Sequence, residues 1–244
     1  MPETRDVCVV GGGVAGLTAA VFTARHGLAT TVLDAGESLL ARNAHLENVP
    51  GFPAGIDARL FLDMLGEQAE RAGCERREAR VTAVRDREAG FNVETAGGET
   101  LRSDYVVAAT KNATDYLDPV DGVGTIDRGK TFVDTDERGR TGVDGLYAAG
   151  RLAEKPHQTA VCAGHGAEVA VTLLEDDERP FYHDWVAPEG YFSDRGRDVP
   201  PGCEEIDAAE RRERDAEGRA AVREHVAEPH PEEPTPHPSL ADDD

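Results

Sequence analysis

The sequence predicts an α/β fold, a parallel sheet with helices on its faces and a small antiparallel β excursion. Three observations carry the prediction. Residues Asp6 to Asp34 read as strand, glycine-rich turn, helix and strand in close succession. Short apolar runs then alternate with stretches of helical period, the order expected of a sheet covered on both sides. With 39% hydrophobic residues in 244, the chain can bury a real core.

Taken in order, Val7 to Val10 is a continuous apolar run, suited to a strand buried on both faces. A helix from Val14 to His26 stops at Gly27, where a left-handed residue ends helices well. Ala29 to Leu33 is β-branched and forms the second strand, ending at Asp34. A helix over Ile56 to Ala72 is predicted by Leu60, Phe61, Met64 and Leu65 at helical spacing. Val81 to Val84 and Phe91 to Thr95 alternate as antiparallel strands, followed by an Ala96-Gly97-Gly98 turn. Strands are expected at Tyr105 to Ala109, Thr131 to Asp134 and Gly145 to Ala149, and a helix at Thr159 to Leu174. This gives a nucleotide-binding domain over 1–175. An irregular segment rich in aromatics and proline follows over 176–203 and packs on that domain. A charged helix (Glu204 to Val226) and a disordered acidic tail (Pro229 to Asp244) fill 204–244.

The formal net charge is −22, and only Lys111, Lys130 and Lys155 among the 26 basic residues are lysines. This balance resembles the proteins of salt-loving archaea. Concentrated salt would screen the self-repulsion, because the Debye length falls to roughly 3 Å at 1 M. The same numbers disfavour nucleic acid as a partner, since no basic stripe exists to displace counterions. No run of about 18 apolar residues is present, so no transmembrane helix is expected. The polar start of the chain does not resemble a signal peptide. Cys8, Cys74, Cys162 and Cys203 form no CxxC pair and no zinc spacing, which fits a reducing cytoplasm and no metal.

Gly11-Gly12-Gly13-Val14-Ala15-Gly16 matches GxGxxG between a strand and a helix, and Asp34 ends the next strand 18 residues past Gly16. That context makes it a dinucleotide fingerprint. Gly11 permits the tight turn, Gly13 lets a pyrophosphate approach the backbone, and Gly16 lets the helix lie close to the sheet. Free N–H groups and the positive end of the helix dipole favour the diphosphate. Asp34 would accept from ribose hydroxyls and repel a 2′-phosphate, which disfavours NADP at this site.

Over Asp6 to Leu174 the chain resembles the low-molecular-weight thioredoxin reductases, within the glutathione-reductase-type flavoproteins. The glycine motif with Asp34 is one match. Glu47-Asn48-Val49-Pro50-Gly51 resembles the loop beside the flavin. Tyr105-Val106-Val107-Ala108-Ala109-Thr110 is similar to the strand that ends in "ATG". Gly145-Leu146-Tyr147-Ala148-Ala149-Gly150, with Gln158 and Ala163-Gly164-His165-Gly166-Ala167, resembles the second FAD signature. The resemblance implies FAD as cofactor. The implied cofactor-binding set is Gly11, Gly13, Val14, Ala15, Gly16, Asp34, Ala35, Arg42, Asn48, Val81, Ala109, Thr110, Lys111, Gly150, Arg151, Gln158, Thr159 and Ala160.

The departures are as informative. About 20 residues, Lys111 to Lys130, stand where the family places its whole NADPH domain and the CxxC within it. Lys111 replaces a family glycine, and Arg151 replaces the aspartate that bonds the ribityl chain. The reading is therefore a FAD-dependent oxidoreductase, not a thioredoxin reductase, with an unknown electron donor or acceptor. A non-catalytic FAD-binding sensor or assembly protein is the rival, and a domain for NAD or another ADP-containing ligand is a third reading. His157 and Cys162 are the catalytic candidates, the first as proton carrier, the second as redox thiol or simple packing residue. Trp185, Phe181, Tyr182, Tyr191 and Phe192 leave open a flavin cap, a homodimer face or a segment glued to the core.

Overall fold

In the computed structural model, which describes residues 3–237 and 239, the apolar run at Val7 forms the second half of a longer strand, β1 (Glu3–Val10). The glycine turn follows, then α1 (Val14–Arg25), whose end carries Gly27 at φ 87°, the left-handed stop expected there. β2 (Thr30–Asp34) pairs parallel with β1, Val7 opposite Thr30 and Val10 opposite Leu33. α2 (Ala58–Arg71) starts at Asp57, whose carboxylate accepts from the backbone N–H of Arg59 (2.8 Å) and Leu60 (3.1 Å). Such a cap is worth about 1 kcal/mol.

β3 (Glu75–Glu78) was not legible: Glu-Arg-Arg-Glu has neither apolar alternation nor β-branching. It lies at the edge of the sheet, parallel to β2. Ion pairs replace apolar packing there, with Arg77 reaching Glu3 (2.5 Å), Glu75 (2.7 Å) and Glu99 (2.7 Å). Charge on an edge strand also discourages pairing with other chains.

β4 (Val81–Asp86) and β5 (Phe91–Thr95) form the antiparallel excursion, which returns through β6 (Thr100–Ala108). β6 begins earlier than its apolar run because its two halves face different neighbours. Thr100 to Ser103 pair antiparallel with β5, whereas Val106 to Ala108 pair parallel with β9 (Leu146–Ala148). Its other edge runs along β1 for its length. The seven strands follow the order β3-β2-β1-β6-β5-β4, with β9 beside β6.

The short connection after β6 closes the core, with Tyr116, Leu117 and Val120 buried against Val106, Val133 and Leu152. β7 (Thr125–Asp127), unforeseen, pairs antiparallel with β8 (Thr131–Val133) in a ribbon separate from the main sheet. α3 (Thr159–Asp176) packs on α1 so closely that a side chain at Gly166 would meet the Ala15 carbonyl oxygen at 2.2 Å. Among the described residues, no helix is long and apolar enough to cross a membrane.

The chain divides between Asp176 and Asp177, and the described residues from Glu232 on group with the first unit. Thr235 N–H donates to the Ala41 carbonyl (3.0 Å), so part of the stretch expected to be a loose tail is tied down. Residues 238 and 240–244 of that tail lie outside the described residues.

The second unit, 177–231, differs from its sequence reading in two places. The stretch expected to be irregular contains β10 (Trp185–Pro188), and the expected helix start is instead β11 (Cys203–Ile206), parallel to β10. The helix itself, α4 (Ala208–His225), begins after Asp207, which caps the N–H of Ala209 and Glu210. Periodicity missed the pair because Glu205 orders it by charge. Its carboxylate accepts from Gly190 (3.2 Å), Phe192, and both the backbone and hydroxyl of Ser193 (3.0 and 2.7 Å), which hold it at about 2.

Candidate functional site: a cavity at the strand ends

A cavity of about 690 Å³ opens at the carboxyl ends of β1, β2, β6 and β9. In parallel α/β sheets ligands collect at this end. At one side lies the glycine turn. Gly11 sits at φ 110° with its missing side chain 2.8 Å from the Ala109 carbonyl oxygen, so only glycine brings the turn this close to β6. A Cβ at Gly13 would meet nothing nearer than Ser38 Oγ at 3.8 Å, so this face of the backbone is open. Gly13 is also the N-cap of α1 and gives no side-chain cap, and the first turn holds no acid. The leading N–H groups of α1 are thus left for an anion.

Gly16 does not line the cavity. It lies behind it, where a Cβ would stand 2.0 Å from the Gly11 carbonyl oxygen. Gly12 carries a constraint that sequence reasoning missed: a Cβ there would stand 2.3 Å from Asp34 Oδ2. Asp34 can therefore lie flat against the turn, where Gly36 N–H also donates to it (3.1 Å). Ala35, Val81, Ala109 and Thr110 line the same wall.

The Glu47–Phe52 loop is placed by a small apolar cluster of its own, Leu46, Ile56 and Ala58, with Leu40, Val49, Phe52 and Phe61 packed against it. From it Asn48 donates to the Gln158 side chain (2.7 Å), across 110 positions of sequence. The two loops singled out separately in the sequence thus meet over the cavity. Gln158 and Thr159 line it at the start of α3, again without an acid in the first turn. Gly150 and Ala160 are not part of the lining. Gly150 (φ 65°) serves packing, since a Cβ would stand 2.6 Å from that of Ala15, and its N–H donates to His165 Nδ1 (2.9 Å). Residues missed by sequence reasoning include Ser38 to Leu40, His45 and Tyr116, whose hydroxyl meets that of Thr110 (3.0 Å). They sit in loops and short 3-10 turns without an apolar period, and only folding brings them here.

The remaining side is basic. Lys111, Arg151, Arg42 and His157 line the cavity. Lys111 stands at φ 66°, a left-handed backbone that costs a non-glycine residue about 1–2 kcal/mol. Burial holds its amine below the usual lysine range, and repulsion from Lys130, Arg42 and Arg151 adds to that. His157 is lowered for the same reasons, burial first and then Arg151, Lys111 and Lys130, which favours its neutral form. The Arg151 guanidinium lies 4.6 Å over the Phe132 ring and donates to the Lys155 carbonyl (3.3 Å). Cys162 also lines the cavity, but burial raises its pKa and its Sγ–H donates to the Pro156 carbonyl (3.6 Å). Both features favour the thiol over the thiolate that redox exchange requires.

Residues 9–72 match the family model of an NAD(P)-binding Rossmann-like domain. The chain is 37% identical over 116 residues to the bifunctional thioredoxin reductase/thioredoxin of Mycobacterium leprae, covering 46% of this chain and 25% of that one. It is 34% identical over 110 residues to the thioredoxin reductase of Aquifex aeolicus, covering 44% and 34%. The matches thus span a quarter to a third of these curated relatives. A thioredoxin reductase from Gloeobacter violaceus superposes with a TM-score of 0.67 at 19% identity, covering 75% of this chain and 100% of that one. The T. acidophilum enzyme gives 0.65 at 19%, covering 71% and 99%. The chain therefore has a thioredoxin-reductase-like fold, with a Rossmann-like nucleotide-binding segment built around its glycine turn.

Proposed function

We propose that this chain is a FAD-dependent oxidoreductase. The observation that carries the reading is the Asn48–Gln158 bond (2.7 Å), which joins the two loops resembling FAD signatures over one cavity. The residues present fit the group: a glycine turn open on its ligand face, an uncapped helix N-terminus and Asp34 beside it. Gly11 to Ala15 would hold the diphosphate, Asp34 the ribose, and Asn48, Gln158 and Thr159 the ring end. Bound FAD supplies a ring that takes up and releases a hydride or electrons. Around it the chain orients the ring, excludes water through the joined loops, and brings the His157 imidazole to the cavity.

We further infer that the chain does not carry out the dithiol exchange of the enzymes it resembles. Its four cysteines are far apart in sequence, and Cys8 and Cys74 are buried with strongly raised pKa values, about 12 and about 11. Twenty residues stand where the NADPH domain would be inserted, so reducing equivalents come from a separate donor. The test is purification in molar salt, an absorption spectrum, and anaerobic titration with NADH and with NADPH. A flavin spectrum that bleaches with a reductant supports the oxidoreductase. A flavin that no reductant bleaches supports a binding protein without turnover, and a colourless chain removes the reading.

A further inference from the structure

The basic side of the cavity runs against the composition of the chain. Acids outnumber Lys and Arg by 48 to 26, so a cation's chance neighbours are mostly carboxylates. Several cations elsewhere pair accordingly: Arg77 with Glu3 and Glu99, Arg140 with Asp176, Arg214 with Glu204. Among the described residues, no carboxylate lies within ion-pair distance of Arg42, Lys111 or Arg151. The acids that line the cavity are engaged elsewhere. Asp34 is at the glycine end, Glu37 pairs with Arg80 (2.5 Å), and Glu47 with His45 (2.7 Å).

We propose that Lys111 and Arg151 form a subsite for an anionic group, a carboxylate or a phosphate, of a small-molecule substrate, in addition to the dinucleotide. The inference rests on the FAD reading, in which the diphosphate already has its own receptor at Gly13 and the uncapped start of α1. A half-buried cation without a counter-ion is costly, and an incoming anion removes that cost. The backbone points the same way. Lys111 keeps a left-handed conformation that glycine would hold without strain, and strain kept in this way collects at ligand sites. Arg151 is fixed in plane by the Phe132 ring, and one bond to the Lys155 carbonyl leaves its other N–H groups available. Arg42, also in the lining, and Lys130 add to the positive field.

The experiment uses the chain as purified, with its flavin-to-protein ratio measured by absorbance. Inorganic phosphate and malonate are titrated separately by calorimetry at constant molar ionic strength, so that diffuse attraction is screened. The expected result is saturable binding of at least one probe, one per chain. Lys111→Gly and Arg151→Ala should each weaken it tenfold or more. Lys111→Gly relieves a strained residue, so misfolding will not confuse it. The preferred probe tells carboxylate from phosphate. No saturable heat in flavin-loaded protein would overturn the subsite and leave the FAD reading intact. Loss of flavin in both variants would assign the cations to the cofactor and overturn it as well. A colourless chain would overturn the FAD reading alone. In that case, probe binding that Lys111→Gly leaves unchanged would remove the subsite too.

Discussion

The two ends of the cavity are built by opposite means. The glycine end is made of backbone: side chains are missing at Gly11, Gly12 and Gly13 so that strand, carboxylate and ligand can come close. The basic end is made of side chains, with Lys111 in a backbone conformation that disfavours it and Arg151 over an aromatic ring. The first end minimises strain and the second retains it. A binding motif shared by many proteins can be built cheaply from glycine, whereas selectivity is added through groups that cost stability.

The comparison breaks most severely where the two ends are joined, at the α1–α3 contact. A methyl group at Gly166 would stand 2.2 Å from the Ala15 carbonyl oxygen, and it cannot be relieved without parting the helices. Gly166→Ala should cost about 1–3 kcal/mol or more. Thermal unfolding would show this as a melting temperature lower by several degrees, and an unchanged melting temperature would show that the helices can part freely.

Beneath the same contact lies His165. Its Nδ1 accepts from Gly150 N–H while its buried Nε2 has no hydrogen-bond partner among the described residues, and burial lowers its pKa to about 4. The folded form thus resists a proton that the unfolded chain accepts at an ordinary histidine value near 6.5. Its contribution is complete above 6.5 and is lost as the pH falls from there toward 4. Melting temperatures between pH 6.5 and 5 should fall in the wild type and less steeply in His165→Gln. Equal slopes would place the proton uptake elsewhere.

A smaller effect of opposite sign belongs to the basic end. Lys111→Gly should raise stability by about 0.5–1 kcal/mol, because release from a left-handed conformation outweighs the added freedom of glycine in the unfolded chain. Denaturant titration without added ligand reads this directly. A loss of stability would mean that Lys111 is held by favourable contacts rather than retained for a ligand.

The glycine end was legible because its rules are local. Strand, turn, helix and Asp34 follow within 30 residues, and Gly11, Gly13 and Gly16 each have a reason that a single chain reveals, whereas the closeness of Gly12 to Asp34 appears only on folding. Lys111 and Arg151 could be placed in the cavity because they follow buried strands, yet their lack of counter-ions appears only in the folded chain. Asn48 and Gln158 were each singled out, but their bond depends on an apolar cluster beneath the loop. β3 and the β10–β11 pair were missed because ion pairs and Glu205, not apolar period, order them. Ser38 and His45 reach the cavity from loops and Tyr116 from a single 3-10 turn, where no spacing could announce them.

The most direct test of the account is the flavin content of two proteins purified side by side in molar salt, the wild type and Gly13→Val. A Cβ at Gly13 meets nothing nearer than Ser38 Oγ at 3.8 Å, so the chain should fold. The valine side chain would instead occupy the approach of the diphosphate. The account predicts about one flavin per wild-type chain, released on denaturation as FAD, and a folded but colourless Gly13→Val. A colourless wild type, or a variant with full flavin content, would contradict it.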